Sequence, residues 1–115
     1  TDRKAFTIVS GGVNVYPPVA ENVLGGHAEV ADVAVFGVPN AEFGEEVKAV
    51  VVPVDPARAT PGFEAELIRF CRDRLATVKC PRSVDFRTEV PRGDNGKLYK
   101  RALRDEYWAK EQQDA

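Results

Sequence analysis

Two β-rich, nearly continuous apolar runs dominate the middle of this chain: VADVAVFGVP, Val30–Pro39, and EVKAVVVPV, Glu46–Val54. Valine's branched side chain favours extended backbone, and runs with so little polar interruption suit central strands. The short connection NAEFGE leaves room only for an antiparallel return. A β-hairpin of long strands is therefore expected at the heart of whatever this chain forms.

The flanking segments supply the other elements. FTIVSGGVNVYPP holds two short β-branched runs, Thr7–Val9 and Val13–Tyr16, around Gly11 and Gly12. Glycine gives the positive φ that a tight hairpin turn needs, so a second hairpin is predicted at the N-terminus. Pro17 and Pro18 end that strand and open a short helix, Pro18 to Leu24, stopped by Gly25 and Gly26. DPARATPG reads as a loop. FEAELIRFCRDRLA then places Leu67, Phe70, Cys71 and Leu75 on one helical face. SVDFRTEVP reads as a strand with Val84, Phe86 and Val90 alternating, and KLYKRALRDEYWAKEQ as a helix with Tyr99, Ala102, Leu103 and Tyr107 on one side. The order β-β-α-β-β-α-β-α predicts an α+β fold: a small mixed, largely antiparallel sheet with an N-terminal β-hairpin and helices packed on it.

A chain of 115 residues forms one domain, with a modest core and no deep cleft of its own. The net charge of −2, with acids and bases interleaved, argues against a nucleic-acid module. No apolar run has the length of a transmembrane segment. Cys71 and Cys80 lack metal-ligand spacing and read as reduced thiols in a cytoplasmic setting; with a single histidine they do not suggest a metal site. The sequence has no methionine and begins Thr-Asp-Arg-Lys, so a piece of a longer polypeptide is expected.

The residues with chemical interest are few. PRGDNGKLYKR sets Lys97 on a glycine turn ahead of a helix. A phosphate-binding P-loop needs a longer gap before Gly-Lys and a Ser or Thr after it, whereas Leu98 follows here. The local reading favours a solvated turn lysine, although its ammonium offers three donors to phosphate or carboxylate oxygens. Ser10-Gly11-Gly12 serves the hairpin, or alternatively lets a ligand chain pass close to the backbone. Lys79 and Arg82 flank Cys80-Pro81 and are surface charges or an anion site. His27 reads as a loop histidine, Cys71 as core.

Taken together in order, DRKAFTIVSGGVNVYP, VADVAVFGVPNAEFGEEVKAVVVP and VKCPRSVDFRTEVPRGDNGKLYKRALRDEYW resemble the C-terminal domain of adenylate-forming enzymes. These include acyl-CoA and aryl-CoA ligases, luciferases and peptide-synthetase adenylation domains, and the motif style is closest to acyl-CoA synthetases. The match runs from Asp2 to about Trp108. The resemblance implies that residues 1–6 are a hinge and linker from an N-terminal adenylating domain, 7–110 a mobile lid, and 111–115 a frayed tail.

It also implies roles. Lys97 occupies the position of the lysine that contacts the substrate carboxylate and the ATP phosphates during adenylation. Ser10, Gly11 and Gly12 match the loop lining the pantetheine channel once the domain has swung, and Arg82 and Lys79 fall where CoA phosphates are contacted. The hinge corresponds to Arg3, Lys4 and Ala5; Ala5 stands where the family usually has Asp or Lys. In YPPVAE, Glu21 is retained, whereas Val19 replaces an acidic residue. The implied reaction joins a carboxylic acid, with fatty acyl chains favoured, to CoA at the expense of ATP. Mg2+ accompanies the nucleotide through the N-terminal domain, which is the main partner. Two other readings stay open: a stand-alone docking or regulatory module for a separate adenylating subunit, and the lid of an enzyme that passes its acyl group to a carrier-protein thiol.

Overall fold

The computed structural model describes residues 7–93 and 100–114, with side chains as far as residue 110. The elements are β1 (Ile8–Ser10), β2 (Val13–Val15), α1 (Pro17–Gly25), β3 (Val30–Asn40), β4 (Gly44–Pro53), α2 (Pro61–Arg72), β5 (Ser83–Phe86) and α3 (Lys100–Asp114). This is the expected order. Strands β3 and β4 pair antiparallel along nearly their whole length, from Val30 opposite Pro53 to Asn40 opposite Gly44. Their connection is closed by Asn40, whose Oδ1 accepts from the backbone N–H of Glu42 and of Phe43.

One expectation needs correcting. Of these two strands, only β4 is central; the strand order is β2-β1-β4-β3, with β5 joined parallel to β4. β3 lies at the sheet edge, and its apolar run has a different cause: both of its faces are covered. Val33 and Val35 enter a core with Leu24 of α1 and Leu67 of α2. Ala34 and Phe36, pointing the opposite way, enter a second core with Leu103 of α3. Period-two alternation thus feeds two cores from one strand.

The open edge of β3 is closed by side chains. Val33 N–H donates to Asp32 Oδ1, Val35 N–H to Glu21 Oε2 at 2.8 Å, and the Gly37 carbonyl accepts from Trp108 Nε1 at 2.8 Å. These bonds occupy edge groups that a neighbouring strand would otherwise take.

A second correction concerns the strand at Ser83. It ends at Phe86 rather than continuing to Val90. Val84 packs in the first core and Val90 in the second, so the chain crosses from one sheet face to the other between them. Helix α2 starts where Thr60 caps it, its Oγ1 accepting from Phe63 N–H, with Pro61 at the first position.

Candidate functional site

The N-terminal hairpin turn is two residues long, with Ser10 opposite Val13. Gly11 and Gly12 have φ of 58° and 83°. Both central residues in the left-handed region give the turn type whose twist suits a tight hairpin, and only glycine takes it without cost. Gly11 N–H donates to Phe43 O at 3.0 Å, which ties the turn to the β3–β4 connection. A Cβ on Gly11 would lie 3.3 Å from the Phe43 ring, while one on Gly12 would meet open space.

Beside the turn runs an open cleft of about 440 Å³, walled by Ser10, Gly11, Phe43, Arg72, Val78 and Arg82 among others. Arg82 is anchored by its backbone N–H to Val47 O at 2.9 Å, and its guanidinium sits 5.1 Å from the centre of the Phe43 ring. The cleft therefore combines a bare backbone, an apolar wall and two guanidinium groups. Such a surface suits an extended ligand that carries anionic groups.

The structure brings Ser10, Gly11 and Arg82 to one place, with Gly12 at the turn beside them. Lys79 is exposed at the end of a short 3-10 turn, Thr77–Lys79, and does not line the cleft. Lys97, Arg3, Lys4 and Ala5 lie outside the described residues. Sequence reasoning missed Phe43 and Arg72. Phe43 carried one signal, an aromatic in an otherwise polar connection; Arg72 looked like any charge on the outer face of a helix.

With this geometry in view, comparison with known proteins is decisive. The family model of the AMP-binding enzyme C-terminal domain matches residues 20–97. The chain belongs to that family. Over 105 residues, 91% of its length, it is 45% identical to a long-chain-fatty-acid–CoA ligase of Salmonella typhimurium, and over 103 residues, 90% of its length, 44% identical to a feruloyl-CoA synthase of an Amycolatopsis species. Among solved structures, a Mycobacterium tuberculosis fatty acyl CoA synthetase superposes with a TM-score of 0.82 at 38% identity, covering 92% of this chain. The chain spans 18–20% of the length of these relatives.

Polar networks brace this AMP-binding C-terminal domain away from the cleft, along α3 and the sheet beneath it. Glu21 accepts from Val35 N–H and also forms an ion pair with Lys100, the first residue of α3. Lys48 donates to Ser83 Oγ and Asp85 Oδ1, and Tyr107 OH donates to Asp85 Oδ2 at 2.6 Å. Burial, and then the hydrogen bond to Asp85, push the Tyr107 phenol up to about 12. Burial also raises the Asp85 carboxyl, but hydrogen bonds from Lys48 and Tyr107 outweigh it and leave the group below its ordinary value.

His27, read from the sequence as a loop histidine, is held between the rings of Phe63 and Phe70. Its Nδ1 accepts from Glu29 N–H, so Nε2 carries the proton and donates to Glu66 at 3.0 Å. Among the described residues, His27, Glu29 and Glu66 alone bring three metal-type donor atoms within 4.8 Å of one another. Arg58 already pairs with both carboxylates, which makes the cluster an internal ion-pair network fastening the α1–β3 connection and the Pro56–Arg58 turn to α2. Cys71 and Cys80 are buried free thiols. Burial, and then the hydrogen bond with Cys80, push Cys71 up to about 12, so it stays protonated and structural.

Proposed function

We propose that this domain is the mobile C-terminal lid of an AMP-forming acyl-CoA ligase, which joins a carboxylic acid to CoA and converts ATP to AMP and pyrophosphate. The observation that carries the reading is the bare Ser10–Gly12 turn beside a cleft with Arg72, Arg82 and Phe43, in a chain of this family. A pantetheine arm is thin and needs a passage free of side chains, and the nucleotide end of CoA carries phosphates that guanidinium groups hold well.

In the first half-reaction Lys97 supplies a positive charge where the attacking carboxylate, the α-phosphate and the departing pyrophosphate gather negative charge. In the second, the domain turns about Arg3-Lys4-Ala5 and presents the Ser10–Gly12 turn, and the CoA thiol displaces AMP from the acyl-adenylate. With Ala5 at the hinge, the motion works through backbone torsion, or Lys4 supplies the charge. Arg82 contacts CoA phosphates, with Lys79 the lesser candidate from outside the cleft lining, and Mg2+ enters with ATP on the N-terminal domain. The acyl pocket belongs to that domain too; fatty acyl chains are favoured, in keeping with the name of the Salmonella relative. The setting is cytoplasmic.

The test is to incubate this chain, alone and then with the separately expressed adenylating domain, with ATP, CoA and a panel of carboxylic acids. Silence alone and AMP release on mixing is the expected result. Turnover by the chain alone would overturn the lid reading. Native expression from its own start codon would instead favour a stand-alone docking module, and acyl transfer to a carrier-protein thiol in preference to CoA would favour that acceptor.

A further inference from the structure

β1 meets β4 through a single register pair, Ser10 with Gly44. Next to that pair a side chain takes over the role of a strand carbonyl: Glu45 Oε1 accepts from Val9 N–H at 2.9 Å. The carboxylate can lie there because Gly37 of β3 has no side chain. A Cβ on Gly37 would stand 2.6 Å from Glu45 Oε2 and 3.2 Å from Ile8 Cγ2. Arg104 of α3, stacked at 4.5 Å on the Trp108 ring, lies 3.8 Å from the same oxygen. Trp108 in turn donates to the Gly37 carbonyl, so residues of β1, β3, β4 and α3 meet around one carboxylate.

The Ser10–Gly12 turn continues directly from Val9. Beyond the Ser10–Gly44 pair, it is tied to the β3–β4 region through Gly11 N–H to Phe43 O and through Val9 N–H to Glu45. Only the second tie uses a side chain. Without it Val9 N–H loses its acceptor, and on the β4 side the lead into the turn is held only by the Ser10–Gly44 pair and the buried Ile8, so a small shift of the turn against the cleft wall is the expected result.

We propose that Glu45, in the space Gly37 leaves for it, is a positioning residue for the Ser10–Gly12 turn and thereby for the thioester-forming step. This rests on the reading of that turn as part of the CoA passage. Glu45 touches no substrate in this scheme. It acts through the Val9 backbone, and adenylation, which uses Lys97, does not depend on it.

The experiment measures both half-reactions in the full-length ligase: pyrophosphate release without CoA, and thioester formation from supplied acyl-AMP and CoA. Glu45→Ala is expected to lower kcat/KM for CoA roughly ten- to a hundredfold, as small displacements of a reacting geometry do, with adenylation close to wild type. Glu45→Gln should restore the thioester step, since an amide oxygen also accepts from Val9 N–H. Gly37→Ala should give a smaller loss of the same kind, because its methyl group crowds Glu45 Oε2 and pushes the carboxylate away from Val9 N–H. If Glu45→Ala folds poorly, Glu45→Asp, one methylene short of Val9, serves in its stead with the same expectations.

Gly11→Leu is the control for the passage itself. Impaired thioester formation in Gly11→Leu with an unaffected CoA step in Glu45→Ala overturns the positioning role; so does equal loss in both half-reactions, or failure of Glu45→Gln to restore. Intact thioester formation in Gly11→Leu overturns the passage reading beneath it.

Discussion

Glu21 of α1 and Lys100 of α3 form an ion pair across the open edge of β3, and the same carboxylate caps Val35 N–H on that edge. One side chain therefore joins a helix from each face of the sheet to the strand between them. Both partners are well shielded, with 18% and 11% of their side chains exposed. Glu21→Ala removes the acceptor of a shielded N–H together with the ion pair, and is expected to cost about 2–3 kcal/mol. Glu21→Gln keeps an acceptor for Val35 and should cost less. Urea unfolding of this chain measures both.

Tyr107 and Asp85 make stability fall at both ends of the pH scale. The folded phenol titrates at about 12 against 10.0 ordinarily, so between those values the folded chain keeps a proton that the unfolded chain has lost. Stability then decreases as pH rises through that window. The Asp85 carboxyl is lowered from 3.8, so its contribution is complete above that value and is lost as pH falls through the lowered one. Tyr107→Phe should cost about 1–2 kcal/mol near neutrality and remove this residue's share of the alkaline loss. Denaturant melts across pH, compared between wild type and variant, read both effects; an unchanged alkaline limb would assign that loss elsewhere.

Lys97→Ala in the full-length ligase is expected to slow adenylation by a factor of about 10² to 10³, the usual scale for losing one electrostatic stabiliser of a transition state. Thioester formation from supplied acyl-AMP should survive. Equal loss in both half-reactions would mean that Lys97 serves the fold.

Arg82 and Lys79 are separated by their surroundings. Arg82 lines the cleft above Phe43, whereas Lys79 stands exposed outside its lining. Arg82→Ala should raise KM for CoA roughly tenfold, in line with a charge-assisted hydrogen bond, and Lys79→Ala far less. Steady-state kinetics with CoA as the varied substrate distinguish them, and the reverse ranking would move the phosphate site towards Lys79.

Much of this fold was legible in residue order. β-branched runs, paired glycines and prolines gave each element its type, because these preferences act within a few residues of the chain. The Gly11-Gly12 turn was readable for the same reason. The long valine runs were ambiguous: covering on two faces and a central place in a sheet leave the same apolar signature, and β3 proved to have the first without the second. Alternation through Val84, Phe86 and Val90 misled because periodicity does not reveal where a strand stops and the chain changes sheet face.

The candidate site divides in the same way. Lys97 and the Ser10–Gly12 turn stood out as local motifs, and their order along the chain carried the family resemblance. Local chemistry, a glycine's freedom or a lysine's charge, is a property of the residue and its immediate neighbours. Tertiary structure alone decided that Phe43 backs Gly11, that Arg72 and Arg82 share a cleft, that Glu45 reaches Val9 through the gap at Gly37, and that His27 meets Glu66. Those partners lie up to 39 positions apart, and their meeting depends on sheet register and helix docking. Such distances close only when the whole core packs, so no short window of sequence contains them.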